Sequence, residues 1–220
     1  TTGDLNVAVG STALDANTVG DRNVAVGHAA LTTFNPSSNA DTYNTAVGAI
    51  ALKNLTTGTL NTAVGGQAME LATTGGSNTA MGYGALNANT TGANNVAMGV
   101  GALDANTTAD NNTAVGYNAF TANTTGTENV AVGSGAGASL TTGIRNVFVG
   151  YLAGDAFTTA SENIAIGKSA LSLDTLGQRT TAIGKSALSN QNFTSSTDTY
   201  NVAVGYEAGK AITTGVQNTI

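Results

Sequence analysis

Apolar residues recur along this chain in short bursts at a fixed spacing. In Asn112-Thr113-Ala114-Val115-Gly116, a β-branched residue, an alanine and a larger aliphatic follow an asparagine and end on a glycine. Near copies open at Asn6, Asn23, Asn44, Asn61, Asn78, Asn95, Asn129, Asn146, Asn163, Asn201 and Asn218, with Thr180 in the one slot that lacks Asn. The spacing is 17 residues, except from Asn23 to Asn44 and from Thr180 to Asn201, where it is 21. A fixed period of this length is the signature of a solenoid, in which each repeat is one coil.

Counting each coil from its Asn as position 1, position 2 is Val, Ile or Thr and position 4 is Val, Ile or Met. In the twelve complete motifs position 3 is Ala, with Phe148 the exception, and position 5 is always Gly. Alternation and β-branching predict a short strand over positions 2 to 4, with positions 2 and 4 on one face. The larger residues at position 4 are expected to point into the coil and Ala at position 3 to face out. Glycine at position 5 marks a corner. A second short strand is expected near position 8, always Ala, and position 9, usually Leu, Met or Phe. Where position 9 becomes Gly137, Gly154 or Gly209, the core is expected to thin. Thr-Thr-Gly then closes the coil with turn chemistry.

The reading is therefore an all-β, parallel β-roll of about twelve coils, two short strands in each, forming one repeat array over residues 1–220. At a strand spacing of about 4.8 Å, a dozen coils make a rod roughly 60 Å long. The asparagines should stack into an amide ladder that Thr180 interrupts. The two longer coils carry their extra residues within 34–43 and 193–200, both ending Asp-Thr-Tyr, and these should project as loops. The chain opens on Thr1-Thr2-Gly3 in the register of a coil's end and stops at Ile220 inside the next motif. A longer fibre is expected.

Composition changes this picture little. Only 9% of the 220 residues are charged, yet 41% are hydrophobic and sit in register, which separates the chain from disordered sequences. The net charge of −6 argues against nucleic acid as a partner. No apolar run is long enough to span a membrane. There is no Cys, so no disulfide framework or thiolate metal site is available.

Asn129-Val130-Ala131-Val132-Gly133 and Asn163-Ile164-Ala165-Ile166-Gly167 resemble the repeats in the heads of trimeric autotransporter adhesins (the YadA-like head). Similar repeats occur in phage tail fibres. The resemblance covers essentially the whole chain and implies a left-handed roll, three chains side by side, on an extracellular fibre at a cell surface or on a virion. The 17-residue coil is longer than is common in that family, and neither the adhesin anchor and stalk nor a phage end domain is recognisable. The function expected from the resemblance is a structural and adhesive fibre segment of a bacterial adhesin or surface filament, with a phage tail-fibre shaft as the alternative. The chain itself, as a homotrimer, and a host-surface glycan or protein are the partners implied.

Candidate chemistry is sparse. His28 has no second imidazole beside it, so no metal site is expected, and no serine lies in a nucleophile context. Acidic residues are scattered along the coils, which disfavours a polysaccharide-degrading enzyme; no catalytic residue and no cofactor is expected. The Thr-Thr-Gly turns invite comparison with ice-binding solenoids. Adjacent threonines in a strand point to opposite faces, and Ala109 and Ala160 interrupt the glycine column, so turn formation is the favoured reading.

Four groups remain as candidate surfaces. Asp41, Tyr43, Asp198 and Tyr200 end the inserted loops and should lie at the surface, with Pro36 at a turn. Tyr83, Tyr117, Tyr151 and Tyr206 at position 6 form an aromatic stripe able to stack on sugars or to cover the neighbouring coil. Glu128, Arg145, Glu162 and Arg179 at position 17 should form a charge ladder in which every neighbour attracts. Asn-x-Thr sequences at Asn54, Asn89, Asn106, Asn111, Asn123 and Asn192 are potential glycan acceptors. The outward alanines, such as Ala114 and Ala119, are expected to pack against neighbouring chains, and Phe148 to mark a local widening or a special contact.

Overall fold

Short β-branched runs between obligatory turns leave room for one brief strand at the start of each coil, and a computed structural model shows it in every complete motif, with a further two-residue strand in four coils. It describes residues 3–220; Thr1 and Thr2 lie outside the described residues. The chain divides into two compact units, residues 1–110 and 111–220. The first holds β1 (Val7–Val9), β2 (Gly20–Asp21), β3 (Val24–Val26), β4 (Ala40–Asp41), β5 (Thr45–Val47), β6 (Thr62–Val64), β7 (Thr79–Met81) and β8 (Val96–Met98). The second holds β9 (Thr113–Val115), β10 (Val130–Val132), β11 (Val147–Val149), β12 (Ile164–Ile166), β13 (Gly177–Gln178), β14 (Thr181–Ile183), β15 (Thr197–Asp198) and β16 (Val202–Val204). Among the described residues there is no helix.

Within each unit, six three-residue strands pair in parallel with like positions directly opposed. Thr113 faces Val130, Val130 faces Val147, and Val147 faces Ile164. The fold is thus a parallel β-solenoid of about twelve coils roughly 17 residues apart. The longer coils keep the same register, Val24 against Thr45 and Thr181 against Val202. Within them β4 and β15 pair with β2 and β13 of the preceding 17-residue coils, outside the main ladder.

The strand faces the opposite way from the expectation. Ala46, Ala63, Ala80, Ala114 and Ala131 at position 3 are fully buried, while positions 2 and 4 are half-buried to exposed. The cause is the width of the coil. Its interior must also hold Asn at position 1, Ala at position 8, the large residue at position 9 and the side chain at position 12. In one coil, Ala46, Ala51, Leu52 and Leu55 are all at 0% exposure. Where position 9 is this large, a methyl group is the most the strand can contribute.

The second expected strand is absent. Positions 7, 9 and 17 adopt left-handed conformations instead; Asn118, Phe120 and Glu128 have φ of 51°, 50° and 60°. Such values are uncommon for residues other than glycine and cost about 1–3 kcal/mol each. Stacking sustains them. Gly135 N–H donates to the Tyr117 carbonyl and Phe120 N–H to the Ala136 carbonyl, so the turns are bonded from coil to coil as the strands are.

The core does not thin at the position-9 glycines. Each is matched by a large residue at position 12: Leu140 with Gly137, Phe157 with Gly154, and Ile212 with Gly209. Phe148, the one large residue at position 3, is fully buried and enters the space that Gly137 and Gly154 leave. Its ring centroid lies 5.9 Å from that of Phe120 and 5.4 Å from that of Phe157. Phe148 marks a refilled core, a special contact without widening.

The asparagine ladder runs inside the coil corner. Asn129 donates from both its backbone N–H and Nδ2 to Asn112 Oδ1, at 3.0 and 3.2 Å, and Nδ2 also donates to the Gly143 carbonyl. At Thr180 the ladder is patched. Gln191, buried at position 12, accepts from Asn201 Nδ2 at 2.8 Å and donates to Thr180 Oγ1 at 3.2 Å and to the buried Asp174 at 2.6 Å. Position 12, which varies among Asn, Leu, Phe, Ala, Asp, Gln and Ile, carries no constant sequence signature, and its inward direction emerges only from the fold.

Candidate interaction surfaces

Each coil's last left-handed residue precedes its asparagine, so position 17 projects outward at a fixed height. Glu128, Arg145, Glu162 and Arg179 therefore share one column. Arg145 Nε donates to Glu128 Oε2 at 2.8 Å and Nη1 lies 3.8 Å from Glu162, while Arg179 Nε donates to Glu162 Oε2 at 2.8 Å. The column continues through Asp198, which pairs with Arg179. The hydrogen bond from Arg179 holds the Glu162 carboxyl below its ordinary range and keeps the Arg179 guanidinium firmly charged. A carboxyl lowered on folding contributes stability that is present at neutral pH and lost as pH falls through its folded range. Arg145→Glu should set three acids in a row. The expected result is a modest drop in melting temperature at low salt that shrinks at molar salt, read by calorimetry in both buffers.

The inserted loops end on a second use of the same column. Arg22 Nε donates to Asp41 Oδ1 at 2.7 Å, Tyr43 Oη donates to Asp41 Oδ2 at 3.1 Å, and the guanidinium lies 5.7 Å from the Tyr43 ring centroid. In the other loop Arg179 pairs with Asp198 and lies 5.9 Å from the Tyr200 ring centroid, donating to Tyr200 Oη at 3.3 Å. The Arg22 bond lowers the Asp41 carboxyl below the usual range. All four loop residues are exposed. Both Asp41 oxygens are committed inside the cluster, and each tyrosine has an arginine against its ring, so the group clasps a long loop to the preceding coil. The signal for it was available in the sequence: Arg22 and Arg179 occupy the same place one coil before Asp-Thr-Tyr. Pro36 precedes a bend at residues 37 and 38 and is not itself in a turn.

Tyrosines at position 6 follow the glycine corner and stand clear of the core, with Tyr83, Tyr117, Tyr151 and Tyr206 all more than half exposed. In the first unit Tyr83 leans over Gly66 of the preceding coil. In the second, Lys168 Nζ lies 5.7 Å from the Tyr151 ring centroid and Lys185 Nζ lies 5.3 Å from that of Tyr206. His28 occupies the same position, exposed.

Burial revises the potential glycan acceptors. Asn89, Asn106 and Asn123 are wholly buried at position 12, where Asn123 Nδ2 donates to the Gly126 carbonyl. Asn111 and Asn192 are exposed and Asn54 is half-buried. The first threonine of the closing turn is also committed. Thr56, Thr73 and Thr141 donate their hydroxyls to carbonyls of the next coil at 2.9–3.0 Å, which ties them to stacking.

Sequence pattern did not reveal the outer face of the strands. Positions 2 and 4 carry Val, Ile, Met and Thr and no charged residue in either unit. Val132, Ile164 and Ile183 remain 36–37% exposed although strands flank them on both sides. Among the described residues there is no pocket and no cluster of His, Cys, Asp and Glu placed to hold a metal, so the candidate surfaces are columns and faces. No family model, curated protein or solved structure matches this chain.

Proposed function

We propose that this array is a structural and adhesive segment of an extracellular fibre, in which three copies pack side by side through the strand faces. The observation that supports the reading is the uncharged outer face of β9, β10, β11, β12, β14 and β16, and its counterpart in the first unit. An apolar sheet face of this regularity is costly to leave in water, and faces of this kind mark association sites. Alanines such as Ala114 and Ala119 are interior, so positions 2 and 4 form the face left for association. The resemblance of the repeats to adhesin heads and phage fibres supplies the extracellular setting. Binding surfaces would be carried by the columns at positions 6 and 17, around the glycine and asparagine corners.

Light scattering on the purified chain is the test. A mass of three chains is expected, and Val132→Glu combined with Val149→Glu should give monomers whose circular dichroism still reports a folded solenoid. A folded monomer of the unaltered chain in dilute solution would overturn the association.

A further inference from the structure

Position 6 of the second unit reads, coil by coil, Tyr117, Ser134, Tyr151, Lys168, Lys185 and Tyr206. The pairing of the strands two residues earlier, with backbone bonds such as Ser169 N–H to the Tyr151 carbonyl and Ser186 N–H to the Lys168 carbonyl, sets these six in one column. Neighbours along it are about 4.8 Å apart, and Tyr117 and Tyr151 are about 10 Å apart.

The two lysines are the unexplained feature. This chain has a net charge of −6 and pairs most of its cations: Arg22, Arg145, Arg179 and Lys210 all lie against carboxylates. Lys168 and Lys185 have no such partner among the described residues, although they are stacked as like charges on adjacent coils. Each leans away from the other, Lys168 over Tyr151 and Lys185 over Tyr206. Each ammonium gains a tyrosine face, and Lys185 also acts on the Glu207 carboxylate, but the like-charge contact between the two lysines remains, and an anion arriving from outside would relieve it.

We propose that this column is a binding strip for an extended acidic polysaccharide, with Tyr117 and Tyr151 stacking on sugar rings and Lys168 and Lys185 pairing with the sugar acids. Tyr117, Tyr151 and Tyr206 are 60%, 52% and 69% exposed as residues, so area is available for a pyranose face. A straight column with two aromatic rings separated by two coils suits a stiff linear polymer that presents alternate rings to one side. Two cations carry too little charge to hold a polyphosphate backbone on an acidic protein. The proposal rests on the fibre reading only for where such a polymer is met, because the strip lies within one chain.

Titration calorimetry with alginate oligosaccharides tests it, with neutral cello-oligosaccharides and oligo-thymidylate as comparison ligands. Alginate should bind, more weakly as salt rises. Lys168→Gln with Lys185→Gln, and separately Tyr151→Ala, should each weaken binding by about tenfold or more, since charge-assisted pairs and ring stacking are both removed. Neither variant should move the melting temperature appreciably, because these side chains are exposed. No alginate binding at millimolar concentration, equal binding of the neutral sugar, tighter binding of oligo-thymidylate, or unchanged affinity in the lysine variant would each overturn the proposal. Light scattering on the same samples separates the two readings: a monomer that binds alginate fails the trimer, and a trimer that does not bind fails the strip.

Discussion

Phe148→Ala is expected to destabilise the second unit by about 3–5 kcal/mol, the range for removing a fully buried phenylalanine, because no neighbour can collapse into the void. Gly137 and Gly154 flank the ring and offer no side chain, and Phe157 loses its stacked partner. Gly154→Leu alone is expected to be harmful as well, since its Cβ would sit 2.7 Å from Phe148. The two together should recover part of both losses. The coil from Asn23 already contains that solution: Ala25, Leu31 and Phe34 occupy positions 3, 9 and 12, all fully buried. Gly154 has φ of 58°, close to the 54° at which Leu31 sits, so the backbone is prepared for the side chain. Recovery should be incomplete because the space beside Gly137 stays empty. A double-mutant cycle by denaturant unfolding should give a favourable coupling of about 1–3 kcal/mol. Strictly additive losses would show that Phe148 does not substitute for the missing leucine. Hydrogen exchange should place the damage in coils next to Phe148, since a solenoid's stability is a sum of local and nearest-neighbour terms.

Gly133→Ala is the second large effect, at roughly 3–5 kcal/mol, from two sources that can be separated. Gly133 has φ of 134°, and a Cβ there would lie 2.5 Å from the Gly150 carbonyl oxygen and 2.7 Å from its carbon. Both atoms are backbone in the next coil and cannot move without opening the stack. Gly205 has nearly the same backbone, φ of 138°, but the nearest atom to its Cβ would be Ala208 Cβ at 3.9 Å. In this 220-residue chain Gly205→Ala therefore carries backbone strain without the clash, and should cost about 1–3 kcal/mol. Thermal melts of the two variants measure the difference. Equal losses would mean that the coil spacing absorbs the methyl group, and that φ alone demands glycine at position 5.

The charge column shows how far a repeat can be read without coordinates. Glu128, Arg145, Glu162 and Arg179 meet because each is the seventeenth residue of its coil, a fact available by counting. Counting also places the asparagines in one ladder and the tyrosines in one column, since a parallel stack in register sets like beside like. The loop ends were legible as paired insertions, but their clasp onto Arg22 and Arg179 requires knowing that position 17 turns outward.

The period, the parallel stacking and the identity of every column follow from spacing alone. Which way each column points was decided by the tertiary structure. Alternation separates positions 2 and 4 from position 3 without saying which side is inside, and the larger residues at position 4 suggested the wrong one. The left-handed turns at positions 7, 9 and 17 make the coil narrow, and its interior is already occupied by positions 1, 8, 9 and 12. Beside a large residue at position 9 only a methyl group fits from the strand, so alanine goes in and the valines and isoleucines go out. That single steric limit relocates the uncharged, largely aliphatic face to the surface.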